Sequence, residues 1–270
     1  MSTSIGRLKY HNVFRKIFIF IKYMSDNIRN KEFRLILASL NFLLFKKSHS
    51  KDFIANTNIG KFYLRAGSMD FISANSAYEF PVMSLFKDDL KDCDLFLDIG
   101  ANIGTYTVLL GKKGIETLAF EPIKTNFDSL NKNVKLNNIE DKVTTFYFGF
   151  NHKARKDQFH FDIKNPGASS LHEIQLNSKE EMIEVELLVF DEFENESIKR
   201  CKAPIVKIDV EGMEINVLEG MKTFIQEKKS IKFIIETKHS GEDKIKEKFL
   251  SYGDFTFSSI DPMNLLAIKI

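Results

Sequence analysis

The sequence predicts an α/β fold: a parallel sheet that carries a ligand at its carboxyl edge, preceded by a helical extension. Three observations predict it. The apolar run Leu95–Leu97 ends in Asp98, a turn through Gly100, Asn102 and Gly104, and an amphipathic run with Tyr106, Val108, Leu109 and Leu110. That pattern is a buried strand, a tight loop and a helix N-terminus, the geometry that holds a nucleoside-type ligand. A second apolar run, Thr117–Phe120, ends in Glu121 and Pro122, and a carboxylate at the next strand tip is placed to grip a ribose diol. The third is Pro204–Asp209, where an apolar strand again ends in an acid.

The remaining elements follow in order. Apolar runs Val13–Met24 and Phe33–Phe45 read as helices, the second with Phe33, Ile36, Leu37, Leu40, Leu43 and Leu44 at helical spacing. Asn56–Gly60 reads as a turn and Lys61–Arg65 as a short strand, broken at Ala66–Ser68. Residues 70–92 read as helix and lead into strand 94–99; the next strand is 116–121, followed by a helix over 125–137. Val143–Phe150 reads as the third core strand. Strict alternation then lapses: Gln158–Ile163 and Met182–Phe190 read as strands flanking the loop Asn165–Ser170, an insertion of the kind that carries substrate contacts. The core resumes with 204–209, a helix through Met213–Met221, the strand Ile231–Thr237 and a helix over 242–251. A hairpin of 255–259 with 264–270 closes the chain.

With 270 residues, 43% apolar and 26 phenylalanines, the chain has ample core for one α/β domain plus an extension. The boundary is placed at residue 50, with a basic amphipathic extension over 1–50, the enzyme domain over 51–270 and insertion strands over about 151–200. Cys93 and Cys201 form no C-x-x-C pair and read as reduced thiols of a cytoplasmic protein. No cleavable signal is read at the N-terminus, and no apolar stretch reaches the roughly 18–20 residues that span a bilayer. The net charge of +2 is unevenly placed: residues 1–48 carry ten Lys/Arg against Asp26 and Glu32, a local excess of +8 that leaves −6 elsewhere. This segment suits either peripheral contact with the inner face of an anionic membrane or a helical cap or self-association arm. The acidic remainder argues against a nucleic-acid partner.

The loop narrows the ligand. A dinucleotide fingerprint needs a second glycine where Asn102 stands, and the chain has no Walker-type phosphate loop. A ribose-bearing ligand without phosphates suits the loop better; S-adenosylmethionine is such a ligand, with Asp98 near its cationic, amine-bearing end. Further residues converge on the same edge because each lies just past a parallel strand. Asp209 and Glu211 could orient a substrate hydroxyl, accept its proton or hold a divalent metal, and Glu214 suits the helix dipole. No metal is assigned, since no third carboxylate or histidine is adjacent in sequence. Glu236 can orient the site, and His239 can act as a base because an imidazole is half deprotonated near neutrality. His160 and His172 read as solvated.

Taken together, Asp98–Gly104, Phe120–Pro122, Leu136–Asn138, Lys207–Gly212, Val217–Gly220 and Glu236 with His239 resemble the FkbM methyltransferases. Phe62–Arg65 with Asp70, Gly167–Ser170 and Asp191 are similar too. The resemblance covers about residues 55–270. It implies a class I methyltransferase (Rossmann-like) fold, a seven-stranded sheet with the last strand antiparallel, and methyl transfer from S-adenosyl-L-methionine to oxygen, typically a hydroxyl of a sugar, glycan or natural product. By position it implies that Asp98, Gly100, Asn102, Gly104 and Glu121 bind the cofactor, with Asn137 and Phe150 near the adenine. Asp209 or His239 would be the base, and Glu211 and Glu236 would hold the acceptor. The alternatives are a nicotinamide-dependent oxidoreductase, against which the missing glycine counts, and a non-catalytic or membrane-docked module, against which the intact acids count.

Overall fold

The computed structural model describes residues 17–88, 92–162 and 180–270. In chain order these form α1 (17–29), α2 (Phe33–Phe45), β1 (Phe53–Asn56), β2 (Lys61–Leu64), α3 (Asp70–Ser73), α4 (Phe80–Asp88), β3 (Phe96–Ile99), α5 (Thr105–Gly111), β4 (Thr117–Phe120), α6 (Lys124–Leu136) and β5 (Val143–Phe146). There follow β6 (Gly149–Phe150), β7 (Arg155–Asp162), β8 (Glu180–Leu188), a 3₁₀ turn (Phe190–Glu192), α7 (Glu196–Arg200), β9 (Ile205–Ile208), α8 (Glu214–Gly220), α9 (Lys222–Glu227), β10 (Lys232–Glu236), α10 (Glu242–Leu250), β11 (Phe255–Ser259) and β12 (Asn264–Lys269).

The central sheet has seven strands in the order β11-β12-β10-β9-β3-β4-β5. Neighbours from β5 to β10 pair in parallel, whereas β12 lies antiparallel to both β10 and β11. This is the mostly parallel, last-strand-antiparallel sheet of the class I methyltransferase fold. Strands β3, β4 and β9 are buried at every position, as a doubly covered parallel sheet requires. The period of two divides them between two cores: Phe96, Ala119 and Ile205 face one, while Leu97, Phe120 and Val206 face the other. Leu35 and Ala38 of α2 join the first core, so the N-terminal helices pack on the same body.

Two expectations are revised, one strand went unread, and some expectations fall outside the described residues. The helix read over 70–92 breaks into α3 and α4, because Asn75 turns the chain, its Oδ1 accepting from Ala77 N at 2.8 Å. The strand read over 143–150 splits: β5 stays in the main sheet, while β6 joins β7 and β8 in a three-stranded sheet. β1 went unread; it pairs antiparallel with β2 through four registered positions. Asn165–Ser170, His172 and the start of the first helix lie outside the described residues, as does the His160 side chain.

Candidate active site

The four strand tips do meet. A cavity of about 650 Å³ opens at the carboxyl edge and is lined by Gly100, Asn102, Glu121 and Phe150 on one side, and by Asp209, Glu211 and Glu236 on the other. Gly100 sits at φ +84°, and a β-carbon there would lie 1.9 Å from the Asp209 carbonyl oxygen. Only glycine lets the loop after β3 pass the end of β9. Asn102 and Glu211 also hold positive φ, 52° and 49°, without being glycine. Such backbones persist only where the surroundings over-determine them, and they cluster at functional sites.

Glu121 is 4% exposed. Its Oε2 accepts from Asn102 N at 2.8 Å and its Oε1 from Ile123 N at 2.9 Å. Burial pushes its carboxyl up to about 7 against these bonds. Arg65 braces it from behind: the guanidinium clasps Asp70 through Nε and Nη2, both at 2.7 Å, and Nη1 donates to Asn126 Oδ1, whose amide nitrogen approaches Glu121 Oε1 at 3.4 Å. The lead-in motif Phe62–Arg65 with Asp70 thus braces the buried Glu121 carboxylate. The Phe150 ring lines the cavity from an aromatic cluster, 4.7 Å from the Phe120 ring.

On the opposite side, Lys207 projects from β9, 2% exposed, and its Nζ donates to Asp209 Oδ2 at 2.7 Å. Burial opposes its charge, but Asp209 and Glu79 outweigh burial and raise it above the ordinary lysine value. Its ammonium also lies 4.9 Å from the centre of the Tyr106 ring. Tyr106 OH donates to Glu79, a cavity residue whose carboxyl is raised by burial. Tyr78 is raised well above its ordinary value by Glu79 and by burial. Burial, then Asp209, pushes Glu211 up to about 7 and Glu236 up to about 9. Sequence reasoning missed Tyr78, Glu79 and Lys207. The one available signal was a lysine inside an otherwise apolar strand, which demands a partner.

Four sequence-assigned residues stand elsewhere. Asp98 is on the strand face covered by α5 and accepts from Thr107 Oγ1 at 2.6 Å rather than lining the cavity; burial pushes it up to about 6. Gly104 caps α5, and a β-carbon there would lie 2.5 Å from Leu130 Cδ1, so its role is packing against α6. Asn137 is corrected outright. It caps the far end of the 13-residue α6, about 20 Å from the carboxyl edge. Its amide is spent on Lys61 N, Lys61 O and Asn133 O at 2.9, 2.7 and 2.7 Å. His239 stands behind Glu211, with Nε2 3.0 Å from Glu211 Oε2 and its side chain 40% exposed.

Residues 98–260, which contain all these strand tips, match the methyltransferase FkbM domain. The chain belongs to the FkbM methyltransferase family. It is 30% identical over 165 residues to the hexuronic acid methyltransferase AglP of Haloferax volcanii, covering 61% of this chain and 64% of AglP. It is 26% identical over 148 residues to Methyltransferase 1 of Beauveria bassiana, covering 48% of this chain and 59% of that protein. The chain therefore spans less than two thirds of the length of these curated relatives. The crystal structure of methyltransferase FkbM from Methylobacillus flagellatus aligns over 74% of this chain and 55% of its own, with a TM-score of 0.46 and 18% identity.

An FkbM methyltransferase uses S-adenosylmethionine, and the cavity fits that cofactor. Asn102 Oδ1 is buried with no hydrogen-bond partner among the described residues, beside the buried Glu121 carboxylate. An acceptor left open in this way suits the donors of an amino-acid group or a ribose.

Proposed function

We propose that this chain methylates oxygen: it moves a methyl group onto a hydroxyl of a sugar, glycan or natural-product acceptor, with Asp209 as the base. The observation that carries the reading is the placement of Asp209, fixed by Lys207 at 2.7 Å, across one cavity from the Asn102–Glu121 pair. S-adenosylmethionine supplies a methyl group on a positively charged sulfur and leaves as the thioether. Glu121 would hold its ribose hydroxyls, Asn102 and the Gly100 backbone its amino-acid end, and Phe150 would lie beside its adenine. Asp209 takes the hydroxyl proton as the oxygen–carbon bond forms, and Glu211 and Glu236 orient the acceptor. The burden on the protein is mostly alignment. A sugar acceptor is supported by the likeness to a hexuronic acid methyltransferase.

We further infer that the N-terminal helices make peripheral contact with a membrane, with self-association as the alternative. Helix α2 buries Leu35 and Ala38, yet its opposite stripe Phe33, Leu37, Leu40 and Leu44 is exposed, beside exposed Arg29, Lys31, Arg34, Lys46 and Lys47. Ile19 of α1 lines the cavity. An exposed apolar stripe with basic residues flanking it suits an anionic bilayer. No helix among the described residues is long and apolar enough to cross one.

The test is labelled methyl transfer into sugar nucleotides, lipid-linked glycans and glycoprotein extracts. Hydroxyl methylation by the native chain, lost in Asp209→Asn, is expected. Label found only on nitrogen, carbon or carboxylate acceptors overturns the reading. S-adenosylhomocysteine should raise the melting temperature and NADH should not.

A further inference from the structure

We propose that Glu211, Glu236 and His239 form a divalent-cation site in the cavity wall, with both carboxylates in the lining and His239 behind Glu211. Each offers one donor atom, and the three atoms lie within 4.8 Å of one another. Neighbouring ligands on an octahedral ion with bonds of about 2.1 Å stand about 3.0 Å apart. Glu211 Oε2 and His239 Nε2 are in ion-pair contact at 3.0 Å, a separation that two neighbouring ligands of one ion also take. The three residues come from two strand tips: Glu211 from the turn after β9, Glu236 from the last position of β10, and His239 three residues further on.

A second observation points to the ligand independently. Glu236 is 8% exposed, and its Oε2 is buried with no hydrogen-bond partner among the described residues. A carboxylate oxygen stripped of water and given no donor is costly, and the wall it stands in faces the cavity. The surrounding charge agrees. Glu79, Asp209, Glu211, Glu236 and Asp261 line this cavity. Among the described residues they face Lys207, which is already bound to Asp209, and Lys238. Lys238 is the one lysine or arginine among the described residues of the cavity lining, beside the Glu211–Glu236 pair.

Two carboxylates and one imidazole without thiolate suit a divalent ion such as Mn²⁺, Zn²⁺ or Fe²⁺, with Mn²⁺ as the probe. Three protein ligands leave open positions for water and for the acceptor. The catalytic part of the proposal rests on the hydroxyl-methylation reading: an acceptor hydroxyl bound to the ion is more acidic, and Asp209, which is not among the three ligands, receives its proton.

The binding part is tested on the full chain with Mn²⁺ alone, by electron paramagnetic resonance titration. One saturable site is expected. Glu236→Gln and His239→Ala should each weaken it about tenfold or more, while S-adenosylhomocysteine binding reports that both variants remain folded. His239 is half exposed, so its removal leaves the core intact. No saturable Mn²⁺ binding, or binding that both variants leave unchanged, overturns the site. Hydroxyl methylation at full rate in excess chelator overturns its catalytic part. Saturable Mn²⁺ binding without hydroxyl methylation sustains the site and overturns the function proposed above.

Discussion

The backbone of Gly100 runs against the carbonyl of Asp209 so closely that any side chain would sit 1.9 Å from that oxygen. This contact joins the loop after β3 to the tip of β9, which carries Asp209. Gly100→Ala must therefore both strain a positive φ and push β3 from β9. We expect a loss of S-adenosylhomocysteine affinity of more than about tenfold and a stability cost of more than about 1 kcal/mol. Gly114→Ala is the control, since its φ is also positive but nothing lies within 4 Å. Equal effects of the two changes on ligand affinity would refute the contact argument.

Glu121 makes a pH prediction with a definite sign. Its folded pKa, about 7, lies above its ordinary 4.5, so the native state holds this proton more tightly than the unfolded chain. Stability falls as pH rises from about 4.5 to about 7 and then levels, by about 3 kcal/mol for this group. Asp98, pushed up to about 6, adds a slope of the same sign in the lower part of that window. Glu121→Gln should flatten the upper part. Melting temperatures of both proteins between pH 4.5 and 8 check it, and parallel curves would count against it.

Strand tips were legible because a parallel strand buried on both faces is a short apolar run, and whatever acid ends it must sit at the carboxyl edge. Asp209, Glu121 and Glu236 follow from that alone. Asn137 failed for the matching reason: it ends a helix that begins at the edge and runs away from it. Glu79 lies on a turn between two short helices, where no period exists to place it. The juxtaposition of His239 with Glu211 depends on neighbouring parallel strands being in register, Ile208 beside Ile235. Sequence adjacency cannot carry that.

The Lys207–Asp209 pair is buried on the lysine side and partly open on the acid side, 3% and 24% exposed. Asp209→Asn should cut turnover by about 10²–10⁴ and leave S-adenosylhomocysteine affinity within a few-fold. Lys207→Met strips the counter-charge from Asp209 and Glu79, and should destabilise by about 3–5 kcal/mol. The double variant should cost less than the sum of the singles, as expected of a coupled pair. Additive melting-temperature losses would show that the two do not act together.

Leu37 and Leu44 are 66% and 69% exposed on α2, so their loss should cost the fold little. Large apolar residues at that exposure, aligned and flanked by arginine and lysine, are suited to insertion at a headgroup boundary. Leu37→Glu with Leu44→Glu should leave the melting temperature within about 2 °C and abolish sedimentation with vesicles containing phosphatidylserine. Neutral phosphatidylcholine vesicles should bind the native chain weakly, because the basic residues then lack their partner. A native chain that ignores both vesicles but dimerises, with the dimer lost in the double variant, would assign the stripe to self-association instead. Retained vesicle binding in the double variant would remove α2 from the membrane contact altogether.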